Sequence, residues 1–278
     1  MNIIKAIIFG IIEGITEWMP VSSTAHLKIL NTFLPLNVSE GFFDVFEVVI
    51  QLGAIIALLI IFWNKVWPFG KSNKPLGSGI LSNIKKDKFV LWIKIIVACL
   101  PAIIYELFLE DLLNFITPQN EMYVIGIALI LVGIVFIGVE YFVKDKTFNI
   151  TSTRQLTLLN CLYIGLAQLV AAIIPGVSRS GATIICALLL GISRTCAVEF
   201  TFELAIPVMF GASLMKLLKY GIAMSFGEVM ILLLGSISAF IVSLFMIRFV
   251  LDYIKKNNFN IFGIYRILLG IIVLVFLR

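Results

Sequence analysis

Charge is scarce in these 278 residues: Asp, Glu, Lys and Arg make up 13%, against 61% hydrophobic residues and a mean hydropathy of +1.10. A soluble domain is roughly a quarter charged, so a soluble globular enzyme is excluded. Histidine is rarer still, with His26 alone in the chain. Cys99, Cys161, Cys186 and Cys196 form no Cys-x-x-C pair and no Cys/His zinc spacing; they read as buried, reduced and inert thiols. Basic residues exceed acidic ones by only 21 to 16, and the excess sits in short segments between apolar runs, which argues against nucleic-acid binding. The N-terminal stretch has no small-residue cleavage site and places Glu13 and Glu17 directly after its apolar run. It reads as mature structure rather than a signal peptide.

What the chain has in abundance is long apolar runs. A hydrocarbon core of ~30 Å takes about 20 apolar residues per helix, and six segments are that long: residues 44–64, 89–109, 122–143, 196–218, 228–250 and 261–277. Two further regions, 2–34 and 157–190, are equally apolar but broken, at Trp18-Met19-Pro20-Val21-Ser22-Ser23-Thr24 and at Pro175-Gly176-Val177-Ser178-Arg179-Ser180-Gly181. Each half is too short to cross, and non-helical backbone at membrane depth survives only against protein or a water-filled cavity. Both regions therefore read as re-entrant helical hairpins.

Cationic connections orient the spans. Six lysines lie from Lys65 to Lys88, three cations from Lys144 to Arg154, and Lys255 and Lys256 follow Arg248; the connection holding Glu106, Glu110, Asp111 and Glu121 is acidic. The cationic connections are expected inside and the acidic one outside, with residues 35–43 outside and 191–195 inside. Trp63, Trp67 and Trp92 flank the lysine-rich connection as interfacial anchors. The hairpins then enter from opposite faces. This predicts one membrane domain over 1–278, an all-α polytopic fold with an inverted-topology repeat (1–148 and 149–278), each half a hairpin plus three spans. A shift of 155 residues sets Pro20-Val21-Ser22-Ser23-Thr24 against Pro175-Gly176-Val177-Ser178-Arg179, and a shift of 152 sets Glu47 and Gln51 against Glu199 and Glu203.

The chemistry concentrates at the two breaks. Glu13 and Glu17 are one helical turn apart and share a face; in an apolar setting their repulsion is relieved by a shared proton or by a cation, with hard oxygen ligands favouring Mg²⁺ or Ca²⁺. Pro20 ends one half-helix, and Ser22, Ser23 or Thr24 can cap the next, leaving amide N–H groups aimed at the tip. His26 follows within the same fourteen residues, and that crowding in a membrane segment argues for a functional role. The second tip offers Ser178, Ser180, Gly181 and Thr183 as a cradle, and Arg179 as a planar fork for phosphate. Arg179 either grips an anion or neutralises Glu13 or Glu17 at rest, and the two roles are compatible. Glu47, Gln51, Glu199 and Glu203 read as scaffolding around the tips. Together these residues describe an intramembrane site for a lipid phosphate or diphosphate.

The run Glu13-Gly14-Ile15-Thr16-Glu17-Trp18-Met19-Pro20-Val21-Ser22-Ser23-Thr24-Ala25-His26 and the run Pro175 to Thr183 resemble the two signature motifs of the bacitracin-resistance type of undecaprenyl-diphosphate phosphatase. The likeness extends to residues 46–54 and 205–209. The resemblance implies a multi-pass enzyme of the bacterial cytoplasmic membrane that cleaves the terminal phosphate of undecaprenyl diphosphate with a divalent cation. It recycles the carrier for cell-wall synthesis and confers bacitracin resistance. Carried over by position, Glu13 and Glu17 match the acidic, cation-holding motif, Ser22, Ser23 and His26 the hydroxyl and imidazole positions, and Ser178, Arg179, Ser180 and Thr183 the phosphate-binding motif. The nucleophile stays open among Ser22, Ser23, His26 and water, with a serine favoured. The chain has Ala25 where the family usually has Gly, and Trp18-Met19 where it has Phe-Leu, which puts a glycine-only turn at position 25 in question. Expected partners are the polyprenyl diphosphate and membrane lipids, with a homodimer as one open assembly and a site opening to the outer side.

The same architecture serves transporters, so a polyprenyl-phosphate carrier or flippase is the main rival. Its discriminating feature is chemical: a carboxylate pair would repel a diphosphate unless a cation or proton transfer is involved. An ion channel built on Glu13, Glu17 and His26 is opposed by Arg179, whose fixed charge would sit in the path.

Overall fold

The computed structural model describes residues 2–70, 85–108, 117, 119–220 and 224–277. Most of the lysine-rich connection, with Lys71 and Lys74, and the acidic residues Glu110 and Asp111 lie outside them. Among the described residues the chain is helical, apart from an isolated bridge between Ile150 and Ile192. The helices are α1 (Asn2–Thr16), α2 (Ser23–Phe33), α3 (Phe42–Val49), α4 (Gln51–Val66), α5 (Lys86–Phe108), α6 (Glu121–Val143), α7 (Leu158–Ile173), α8 (Arg179–Leu189), α9 (Arg194–Tyr220), α10 (Phe226–Ile254) and α11 (Asn260–Phe276).

Five segments are long and apolar enough to cross a membrane: Phe42–Val66, Lys86–Phe108, Glu121–Val143, Arg194–Lys219 and Phe226–Ile254. The sixth expected span, α11, is 17 residues long, about 26 Å at the helical rise, and is a shorter apolar helix. The first span is interrupted at Ile50, between α3 and α4, with no proline or glycine there to signal it. Outward-facing side chains such as Ile60, Leu131, Leu233 and Ile271 are about half exposed, as a lipid-facing surface requires.

Both broken regions divide into two helices at the interruptions read from the sequence. Ser22 and Ser178 each stand at φ 72° and cap the helix that follows, their hydroxyls accepting from Ala25 N (3.4 Å) and Gly181 N (3.2 Å). Each cap opens a helix of 11 residues, α2 and α8. The matching serine is therefore Ser22, not Ser23, one residue off the 155-residue register. Ala25 lies inside α2 and is fully buried, so the positive-φ turn falls at a serine and the chain needs no glycine at 25. Trp18 is buried edge-on to Phe202, with ring centres 5.0 Å apart, so the larger ring is absorbed by the core.

Packing brackets the tips from both sides. The first hairpin helix α1 lies on α10, while its counterpart α7 lies on α5. Glycine permits both contacts: a Cβ at Gly10 would stand 2.2 Å from Gly235 O, and one at Gly165 would stand 2.3 Å from Ala98 O. Helices α6 and α11 cross by a reciprocal approach, in which a Cβ at Gly133 would meet Gly263 O at 2.6 Å and one at Gly263 would meet Gly133 O at 2.8 Å. Small residues at such crossings let membrane helices close without a hydrophobic driving force. These contacts fix the helices that carry both breaks.

Candidate active site

A cavity of about 700 Å³ opens between the two tips. Its lining includes Glu17, Ser22, Ser23 and Thr24 from the first tip and Ser178, Arg179 and Ser180 from the second. The two motifs, more than 150 residues apart in sequence, thus face one space. One serine at each break, Ser22 and Ser178, caps a helix start, a geometry whose free N–H groups favour an anion. The φ 72° backbone at Ser22 and Ser178 costs of order 1–3 kcal/mol each, strain that the surrounding fold has to hold.

A chain of three side chains crosses between the tips. Ser23 Oγ donates to Glu17 Oε2 at 2.6 Å, and Arg179 Nη2 donates to Glu17 Oε1 at 2.7 Å. Arg179 Nη2 also approaches Met209 Sδ at 3.2 Å, while its Nη1 takes no hydrogen bond among the described residues. One arm of the fork is therefore committed to Glu17 and the other is free. Gln168, 2% exposed and lining the cavity, likewise has both side-chain atoms unpartnered. Buried polar groups without partners are rare, and both of these residues line the one cavity.

Four of the sequence-predicted site residues lie off the cavity wall. Glu13 is fully buried one turn behind Glu17, and no donor among the described residues reaches either of its oxygens. Thr183 is fully buried, bonded to Thr201 Oγ1 at 2.9 Å and to the Arg179 and Ser180 carbonyls. Gly181 sits in the first turn of α8, its N–H on the Ser178 hydroxyl. His26 stands beside the first tip. Its Nδ1 is 2.7 Å from Ser22 O and its Nε2 2.7 Å from Tyr265 Oη, with the two rings parallel. A carbonyl only accepts, so Nδ1 carries the proton and Nε2 accepts from the tyrosine. Both ring nitrogens are engaged in holding the turn.

A divalent cation would need oxygen donors. Glu13 and Glu17 supply hard carboxylate oxygens, two of them orphaned and buried, with Glu47 and Arg179 as further charged neighbours of Glu13. Among the described residues no cluster of three His, Cys, Asp or Glu side chains forms. Two carboxylates completed by phosphate oxygens and water are the donor set that Mg²⁺ commonly takes. The two carboxylates are of the kind such a cation takes, with the Glu13 oxygens unpartnered and the Glu17 oxygens also accepting from Arg179 and Ser23.

The cavity is also lined by Asp44, Glu47, Gln51, Glu106, Glu121, Lys28 and Lys216. Lys28 reaches Glu121 at 2.8 Å and Glu47 at 3.4 Å, tying α2 to α3 and α6. Sequence reasoning passed over Lys28 and Arg266. Both are cations inside apolar helices, and an ionisable residue in a membrane segment is itself a signal of function. Arg266 is fully buried and donates to Pro20 O, Gly176 O and Val177 O.

Fold and site together define a polytopic helical membrane protein whose two broken helices enclose a carboxylate, hydroxyl and arginine site suited to phosphate. Residues 6–272 match the family described as bacitracin resistance protein BacA, and the chain belongs to that family. It is 48% identical over 276 residues to the undecaprenyl-diphosphatase of Desulfitobacterium hafniense, covering 99% of this chain and 96% of that one. It is 49% identical over 276 residues to undecaprenyl-diphosphatase 1 of Clostridium acetobutylicum, with 99% and 97% covered, and 48% identical over 275 residues to the undecaprenyl-diphosphatase of Enterococcus faecalis, with 99% and 97% covered.

Proposed function

We propose that the chain hydrolyses undecaprenyl diphosphate to undecaprenyl phosphate and inorganic phosphate within the bacterial cytoplasmic membrane, returning the lipid carrier to cell-wall synthesis and opposing bacitracin. The observation that carries this reading is the Ser23–Glu17–Arg179 chain lining a 700 Å³ cavity, with the second guanidinium arm of Arg179 unpaired among the described residues. Nucleophile and base within hydrogen-bond reach, with the base oriented by a third group, is the recurring pattern of an activated hydroxyl.

In this reading Ser23 Oγ attacks the terminal phosphorus while Glu17 accepts the hydroxyl proton. The bond to the bridging oxygen breaks, its electron pair leaving with the lipid monophosphate. Arg179 and the amides at the Ser178 cap hold the oxygens that gain charge. Glu17 passes the serine proton to the departing lipid phosphate and, ionised again, takes one from a water that attacks the phosphoserine; the P–Oγ bond breaks, inorganic phosphate leaves, and Glu17 returns the proton to Ser23 Oγ. Glu13 and Glu17 would hold a divalent cation, whose chemistry is to neutralise phosphate charge. His26 holds the Ser22 turn through its two hydrogen bonds.

Detergent-purified protein given undecaprenyl diphosphate should release inorganic phosphate, and EDTA should lower the rate by about tenfold or more, with Mg²⁺ or Ca²⁺ restoring it. No release from monodisperse protein would shift the reading to a carrier, which lipid flipping in liposomes would then test.

The two halves 1–148 and 149–278 form an inverted repeat in this reading. The equal helices after serine caps and the reciprocal glycine crossing of α6 and α11 support it. Asp44, Glu106 and Glu121 line the cavity and belong to or adjoin the connections expected outside, so in this reading the site opens to the outer face. A cysteine placed at Glu40, which is exposed, should react in intact cells with a membrane-impermeant maleimide. Labelling only after permeabilisation would reverse the orientation.

A further inference from the structure

Arg266 belongs to neither motif and does not line the cavity, yet it touches both tips. It lies six residues into α11 and is fully buried. Nη1 donates to Pro20 O at 3.0 Å, while Nη2 donates to Gly176 O at 2.6 Å and to Val177 O at 2.9 Å. Each acceptor lies one or two residues before a serine at φ 72°, Ser22 in one tip and Ser178 in the other. A Cβ on Gly181 would stand 3.4 Å from Nη1, so the guanidinium is packed directly beneath the first turn of α8.

Two features separate this arrangement from an ordinary buried ion pair. The partners are backbone carbonyls drawn from two segments 156 residues apart, and no carboxylate among the described residues pairs with the charge. The preceding residue, Tyr265, bonds His26 Nε2, and His26 in turn bonds Ser22 O. Consecutive residues of one helix thus hold the carbonyls on both sides of Val21 and the carbonyls that lead into Ser178.

We propose that Arg266 is a positioning residue that sets the spacing between the two tips, and that its unpaired charge raises the affinity of the cavity for phosphate. A planar fork can bridge carbonyls from two segments at fixed distance; an ammonium on a flexible stem is a point charge that cannot. Spacing matters because Ser23 and Arg179 have to meet the same phosphorus group, one from each tip. This inference rests on the hydrolase reading for its kinetic readout but not for its binding readout.

The test uses full-length protein carrying Arg266→Lys or Arg266→Met, checked for monodispersity and thermal stability. In Arg266→Lys, kcat for phosphate release should fall about 10- to 100-fold, the scale of losing a supporting contact, with KM changing less than threefold. Affinity for inorganic phosphate, measured by calorimetry without lipid, should fall about tenfold or more in Arg266→Met and clearly less in Arg266→Lys, where the charge survives. Folded variants with wild-type kcat and phosphate affinity would overturn the proposal. So would failure of both variants to fold, which would make Arg266 a residue of stability alone. Wild-type protein that binds phosphate but hydrolyses no undecaprenyl diphosphate fails the hydrolase reading and leaves Arg266 to be judged on binding.

Discussion

Replacing Arg179 by alanine should lower kcat/KM for phosphate release by about 10³- to 10⁵-fold, the range associated with an arginine that stabilises a transferring phosphoryl group. Two losses combine. The free Nη1 arm no longer meets the phosphate, and Glu17 loses the partner that holds its Oε1 at 2.7 Å. Glu17 and Arg179 are both mostly buried, with side-chain exposures of 9% and 16%, and removing one member of such a pair typically costs about 3–5 kcal/mol. The variant should therefore melt earlier as well as turn over slowly. Arg179→Lys separates the effects: it restores the charge, and with it most of the stability, but not the fork, so catalysis should stay at least about tenfold down. Turnover of Arg179→Ala within tenfold of wild type would remove Arg179 from the reaction.

Much of this site was legible from residue order. The Pro20 and Pro175 breaks, the hydroxyl runs behind them and the Glu13/Glu17 spacing all survive in the fold, because an interrupted apolar run in a membrane protein leaves the backbone few alternatives. The parts that were not legible depend on direction rather than position. Nothing in the sequence says that Ser22 rather than Ser23 takes φ 72°, since serine seldom does so and glycine is the residue that signals it; the one-residue error in register follows. His26 sits in the right motif, but which way an imidazole turns is fixed by Tyr265, a residue 239 positions away. Thr183 follows the same logic, its hydroxyl taken by Thr201 inside the core. Arg266 was visible as a charge in an apolar helix, and only the fold shows that three carbonyls from two tips compensate it.

Glu17→Gln should lower kcat by about 10²- to 10⁴-fold, the contribution of a positioned general base, while KM stays level or falls. The sign of the KM effect follows from charge. Gln keeps the shape of the side chain and can still accept from Arg179, and with the divalent cation kept saturating it removes a negative charge from a cavity that has to admit a diphosphate, so ground-state binding is not weakened. A purely structural glutamate would behave otherwise, with lost stability and a KM that rises with disorder at the tip. Ser23→Ala sharpens the point. If Ser23 Oγ attacks and Glu17 takes its proton across the 2.6 Å contact, the two act as one unit, and the double variant should be no slower than the worse of the single ones, as happens when removing either member already abolishes the step. Losses that instead multiply would mean that the hydroxyl and the carboxylate work separately. The attacking group would then be Ser22 or a water held by Glu17, and the Ser23–Glu17 contact would be a support for the tip.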